Sequence, residues 1–210
     1  MAIVWGCRLG VEEYRGAGRE VMVPRPDCPG CSSPMVFWSG YERSVRVDGR
    51  CCRLWVRRAR CAGCAVSHAL IPAFCLLGRL DVVDSVGETI RAVVADGVGV
   101  RPVAQRLDVP HTTARDWLRR FRSRTAMLTA GFSAVTVELS GLAPCLPAGA
   151  DRAVLAAIGW AWAAAVSRAG SAVGRSWVFV SLVTGGMLLA ANTDPPWLMF
   201  GRRRLMPPVP

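Results

Sequence analysis

Apolar and polar positions change their period several times along the chain, and each change marks an element. Ile3-Val4-Trp5 is a short apolar run that reads as a strand, and Val11–Arg19 follows with a helical pattern that Pro24 and Pro26 close. Met35–Trp38 reads as a strand, Ser39-Gly40 as a turn and Ser44–Val47 as a second strand. Asp48-Gly49 is a strong hairpin signal. Over Cys51–Arg60 the period is two: Cys52, Leu54 and Val56 alternate with Arg53, Trp55 and Arg57, as in a half-buried strand.

From residue 82 the period lengthens. Val86, Ile90, Val93 and Val94 recur at helical spacing, and Asp96-Gly97-Val98-Gly99 breaks that helix. Pro102 suits the first turn of a short helix reaching Leu107, Asp108-Val109-Pro110 makes a turn, and a third helix runs from His111 to Arg124. Residues 125–149 read as a linker, on Gly141, Pro144 and Pro147. Leu155, Ile158, Trp162 and Val166 form a helical stripe, and Trp177–Val183 fits a helix or a strand. Gly185-Gly186 is a break and Asn192–Pro196 a turn.

The expected organisation is an N-terminal strand and helix over 1–26, a β-module over 27–75 and a helix-turn-helix over 82–124. A linker over 125–149, a helical region over 150–197 and a disordered basic tail over 198–210 complete it. The fold class is α+β, mainly α.

The chemistry that changes this picture lies in two cysteine knuckles, Cys28-Pro29-Gly30-Cys31 and Cys61-Ala62-Gly63-Cys64. Two pairs of thiolates at this spacing close a tetrahedron around one Zn²⁺, so the β-module reads as a four-cysteine zinc ribbon. A four-thiolate shell leaves no open position, which makes the metal structural. His68, four residues past Cys64, is placed either to replace a ligand or to serve as an ordinary hydrogen-bonded histidine. A module of about fifty residues buries little apolar surface and depends on its metal to fold.

With 52% hydrophobic residues the chain has the means to build a core, and global disorder is excluded. The net charge of +11 favours anionic partners, and every one of the 26 basic residues is arginine. The excess is concentrated: residues 25–124 hold 17 arginines against 9 acids. The nine cysteines include five outside the knuckles (Cys7, Cys51, Cys52, Cys75 and Cys145), and Met1–Gly10 lacks the pattern of a secretory signal. Reduced thiols in the cytoplasm are expected. The uncharged runs Ala153–Val166 and Ser176–Ala191 fall short of the roughly 20 residues of a membrane span, so no membrane is expected, and a buried or homodimerising helical element is.

In the helix-turn-helix, Val103, Leu107, Val109, Trp117 and Leu118 form the inner face, with Ala104 giving the close approach. Asp108 stands where such motifs carry Gly and tolerates a left-handed backbone. His111, Thr112, Arg115 and Asp116, with Arg119 a turn later, take the positions that enter the major groove of double-stranded DNA, while Arg120, Arg122 and Arg124 suit phosphates. The arginines of the ribbon (Arg43, Arg46, Arg50, Arg53, Arg57, Arg58 and Arg60) read equally as a second phosphate surface or as a solvated strand face. No catalytic residues are expected, since only Glu138, Asp151 and Asp194 follow as carboxylates and no phosphate-cradling loop is present.

These features resemble a family of uncharacterised proteins from high-GC Gram-positive bacteria, whose zinc ribbon and helix-turn-helix are similar to the N-terminal region of some insertion-sequence transposases. The resemblance runs through Ile3-Val4-Trp5, Val23–Cys31, Arg57–Cys64 with His68-Ala69-Leu70-Ile71-Pro72, the helix-turn-helix, and Asn192–Trp197. It implies DNA binding linked to mobile elements, as an accessory or regulatory factor, and brings no known activity. Together with the residues above, the expectation is a zinc-stabilised DNA-binding protein, not an enzyme, acting in transposition or transcription. An adaptor docking a transposase or polymerase, or a transposase remnant without its catalytic core, is the alternative.

Overall fold

The structure, a computed structural model, describes residues 2–190. It is mixed α/β, with one four-stranded sheet and seven α-helices among the described residues. The expected Asn192–Pro196 turn and 198–210 tail lie outside those residues.

Strands β1 (Ala2–Trp5), β2 (Met35–Val47), β3 (Arg50–Cys61) and β4 (Ser67–Pro72) are ordered β1-β4-β3-β2. β2 and β3 form the hairpin announced by Asp48-Gly49, whose φ values of 46° and 74° are both left-handed, as a tight two-residue turn requires. β4 runs antiparallel to β3, and β1 is parallel to β4, with Ala2 opposite Ala69 and Trp5 opposite Pro72. The N-terminal strand therefore belongs to the sheet and is no separate segment.

Ser39-Gly40 is not a turn. β2 continues through it, and the pairing slips instead: Phe37 faces Ala59 and Ser39 faces Arg58, leaving Trp38 as the extra residue. Gly40 is accounted for by the neighbouring strand, because the Trp55 indole lies where a Cβ would stand.

Both sheet faces are covered, since Leu70 and Ile71 point opposite ways. On one side Val45, Leu54, Val56 and Ile71 pack against Tyr14 of α1 (Val11–Ala17) and Phe74. Tyr14 donates to the Trp55 carbonyl at 2.9 Å and meets Phe74 edge-on. On the other side Cys28, Met35, Ala59, Cys61 and Leu70 form a smaller cluster.

Helices α2 (Val83–Val94), α3 (Val100–Arg106) and α4 (His111–Arg122) follow the expected pattern, with Val86 and Ile90 buried. The expected linker does not: residues 125–140 form α5 (Thr125–Ser140), and only 141–149 connect onward. This helix buries Leu128, Phe132 and Val135 while its remaining positions are mostly small or apolar, so it shows no polar contrast to mark it. The stripe in α6 (Ala150–Ala169) is also displaced. Val154, Ala157, Ile158, Ala161 and Ala165 are buried, whereas Leu155, Trp162 and Val166 are half-buried. Alanines let α5 and α6 approach closely, an advantage that a search for large apolar residues overlooks. Trp177–Val183 is helical, within α7 (Ser176–Val183), which lies on Gly87 of α2. The segment Ala150–Val173 is, by length and composition alone, apolar enough to cross a membrane.

Candidate metal centre and nucleic-acid interface

The hairpin brings the knuckles together, because Met35 at the start of β2 pairs with Cys61 at the end of β3. The sulfurs of Cys28, Cys31, Cys61 and Cys64 all lie within 4.8 Å of one another. Cys28 and Cys64 are 3.7 Å apart and Cys31 and Cys61 are 3.3 Å apart. A tetrahedral Zn²⁺ with bonds of about 2.3 Å separates its sulfurs by about 3.8 Å, so the four thiols fit a structural metal ion.

The two knuckles share one backbone device. The Ser32 amide donates to the Cys28 carbonyl and the Ala65 amide to the Cys61 carbonyl. To do so, Ser32 and Ala65, each directly after the second cysteine, adopt φ values of 57° and 59°. The Cys64 amide also points at the Cys61 sulfur, at 3.4 Å. Nothing in the sequence announces these left-handed positions, since neither carries Gly. Ala65→Gly is accordingly expected to stabilise the metal-loaded protein by about 0.5–1 kcal/mol, relief of the Cβ clash outweighing the added chain entropy; a thermal melt showing no gain would refute this.

Charge in the cluster is unevenly distributed. The Ser33 hydroxyl and amide, with Cys61, hold the Cys31 thiol down at about 6. The amides of Gly30 and Cys31 lower Cys28. The Val66 amide also pulls Cys64 down, but the neighbouring thiols and burial outweigh it and raise Cys64 to about 11. Four thiols this close cannot all ionise alone, and a divalent cation removes that conflict.

His68 is buried opposite Ala59, with Nε2 3.9 Å from the Cys28 sulfur. It stands beside the cluster and not among the four. Cys51 and Cys52 lie at the far end of β3.

The second site is built on α3 and α4. Val103, Ala104, Val109, Ala114, Trp117, Leu118 and Phe121 are buried and Leu107 is packed beside them. Asp108 has φ 49°, the left-handed turn position read from the sequence. Its side chain packs on Gly49, so the tip of the β-hairpin rests on the turn between the two helices.

On α4, Thr112 and Arg115 are exposed and His111 is half-buried. Asp116 accepts from Arg119 and, at 2.6 Å, from Arg120, and Arg79 approaches it at 3.9 Å. The two guanidiniums of its own helix hold its carboxyl below the usual range, so Asp116 acts as an arginine clamp. Arg122 donates to Asp151 at the start of α6, at 2.8 Å, and Arg124 is buried. No protein-family model, curated protein or solved structure matches this chain.

Much of the ribbon's basic charge is engaged internally. Arg43 donates to the carbonyls of Leu76 and Arg79, and Arg46 forms a two-pronged pair with the buried Asp81. Arg53 pairs with Glu42, and Arg60 donates to the Ala65 carbonyl. Arg43 and Arg46 thus bolt β2 to the segment leading into α2. Their partners lie more than thirty residues away, out of reach of any local reading.

Proposed function

We propose that the chain is a zinc-stabilised, cytoplasmic DNA-binding protein in which α3 and α4 form a helix-turn-helix. It would act as an accessory or regulatory factor in transposition or transcription. The observation that carries the reading is the two-sidedness of α4: Ala114, Trp117, Leu118 and Phe121 fix its inner face, while Thr112 and Arg115 are presented outward. A recognition helix needs this combination of a rigid seat and free donors at its N-terminal end. Arg115 has the fork geometry to donate two hydrogen bonds to a guanine edge. Arg119, read from the sequence as a groove residue, is held by Asp116 yet exposed, which suits it to a phosphate instead. Cys28, Cys31, Cys61 and Cys64 would hold the Zn²⁺, which closes the knuckles and takes no part in a reaction.

The test is a fluorescence-anisotropy titration of the zinc-loaded protein on duplex DNA from its own locus, with a shuffled duplex as control, at several salt concentrations. Preference for the native duplex, with affinity falling steeply as salt rises, is expected. Arg115→Ala should remove about 1–3 kcal/mol of that preference. Equal affinity of parent and variant for both duplexes would reject the assignment. A second reading has its own observation: Val137, Leu142 and Trp160 are exposed large apolar residues around the α5–α6 connection, where Trp160 donates to the Cys145 carbonyl. Tight capture of a transposase or polymerase together with weak, sequence-blind DNA binding would favour an adaptor docking through this surface.

A further inference from the structure

Three aromatic rings and four guanidiniums are stacked on and around the β2–β3 hairpin, and the helix-turn-helix makes no use of them. The guanidinium carbon of Arg19 lies 4.3 Å from the centre of the Trp55 ring. Those of Arg25 and Arg57 each lie 5.2 Å from Phe37. Arg57 also donates to the Arg19 carbonyl at 2.6 Å, which joins the Trp55 and Phe37 groups into one strip. Arg58 follows Arg57 on β3 and so points to the opposite face of the sheet. There it stacks at 5.5 Å on Trp38, the extra residue of the β2 slip, which is 54% exposed and adjoins Phe37 on the edge strand.

The charge of this surface is not cancelled. Among the described residues, Arg19, Arg25, Arg57 and Arg58 form no ion pair. The acids of the same stretch are Glu20, Asp27, Glu42 and Asp48; Glu42 is already paired with Arg53, and Asp48 lies at the far hairpin turn. The surface therefore offers planar cations and rings together, with Arg19 and Arg25 exposed.

Such a surface matches one kind of anion. A duplex keeps its base faces inside the stack and shows a protein only edges and phosphates. An unpaired strand shows base faces and phosphates alike, and proteins that hold it combine positive charge with rings and guanidinium planes on which bases stack. The geometry points to a binding surface for single-stranded DNA that passes over the β2 edge of the ribbon, with bases stacked on the guanidiniums of Arg19 and Arg25 on one face and on Trp38 on the other, and phosphates met by Arg57 and Arg58. Only the choice of DNA over RNA rests on the function proposed above.

The experiment is anisotropy of labelled dT15 on the full zinc-loaded chain, with the native duplex as competitor. Binding of dT15 that the duplex does not displace, and that Arg115→Ala leaves intact, is expected. The exposed double variant Arg19→Ala/Arg25→Ala and the single variant Trp38→Ala should each weaken dT15 by roughly tenfold while leaving duplex affinity unchanged. Trp38→Phe, which keeps a ring, should bind like the parent. Arg19→Lys/Arg25→Lys keeps the charge and removes the planes, and it should fall short of the parent at high salt, where stacking is what remains. Absence of dT15 binding, its displacement by duplex, indifference to the alanine variants, or full binding by the lysine variant would each overturn the proposal. Tighter binding of rU15 than of dT15 would overturn the choice of DNA. A chain that binds dT15 in this way yet shows no duplex preference would retain this surface and lose the helix-turn-helix reading.

Discussion

Replacing Cys61 with serine is expected to abolish metal binding and unfold the sheet. Cys61 is doubly committed, because its sulfur belongs to the metal cluster while its backbone pairs with Met35 and its side chain packs with Cys28, Ala59 and Leu70. Structural zinc in small modules contributes about 10–16 kcal/mol of apparent binding energy to folding, comparable with the ~5–15 kcal/mol that holds a whole domain together. A serine hydroxyl is a far poorer ligand for a soft-leaning site, so most of that contribution is lost. Under the proposed zinc assignment, metal analysis should fall from one Zn²⁺ per chain to none, with loss of strand signal in circular dichroism. Because the hairpin tip rests on Asp108 and Arg46 is paired with Asp81, the damage should spread to α2–α4 and lower their melting temperature as well. Cys145→Ser, at an exposed cysteine outside the cluster, should change neither metal content nor melting. A Cys61→Ser protein that retains stoichiometric zinc and the parent's melting temperature would sink the assignment.

The second large effect is expected at Gly87, in the middle of α2. On helix propensity alone, Gly→Ala inside a helix gains up to about 1 kcal/mol. Here the sign reverses, because the indole of Trp177 occupies the place of a Cβ and is itself buried between α2 and α7. Gly87→Ala should destabilise by about 1–3 kcal/mol and Gly87→Val by more, as α7 is pushed off its seat. For a chain of this size the alanine variant should melt roughly 2–10 °C lower. Gly159→Ala is the matched control: Gly159 lies on the exposed side of α6 with open space around it, and the same substitution there should raise stability. If both variants melt higher than the parent, Trp177 does not lie on Gly87.

The contrast between these two glycines shows what a sequence can reveal. Features written in neighbouring residues are readable: the knuckle spacing, the Asp48-Gly49 turn, the apolar spacing of α2, and the left-handed tolerance of Asp108. Features written in distant partners are not. Gly40 reads as a turn because Trp55, the reason for its missing side chain, lies on the next strand. Residues 125–140 read as a linker because most exposed positions of α5, Ala126, Ala130, Ala134 and Val137 among them, are as apolar as the buried ones and give the helix no polar face. Arg43 and Arg46 read as surface charge because their acceptors, the carbonyls of Leu76 and Arg79 and the carboxylate of Asp81, belong to a later segment. Within the set expected from the sequence to face a groove, Asp116 reads as a base-contacting residue, and only the fold shows that its own arginines and Arg79 claim it.

The parallel pairing of β1 with β4 sets the smallest piece of this protein that can be cut out and still fold. A fragment spanning only 27–75 would carry all four metal-binding thiols. It would lack β1 as the neighbour of β4, Tyr14 as the lid over Leu54 and Val56, and Asp81 as the counter-charge of Arg46. Its metal would close the knuckles at one end while the apolar face at the other met water, a recipe for aggregation. Any excised piece must therefore start at β1 and reach at least Asp81, because the sheet is closed by its first strand as well as by the cysteine cluster.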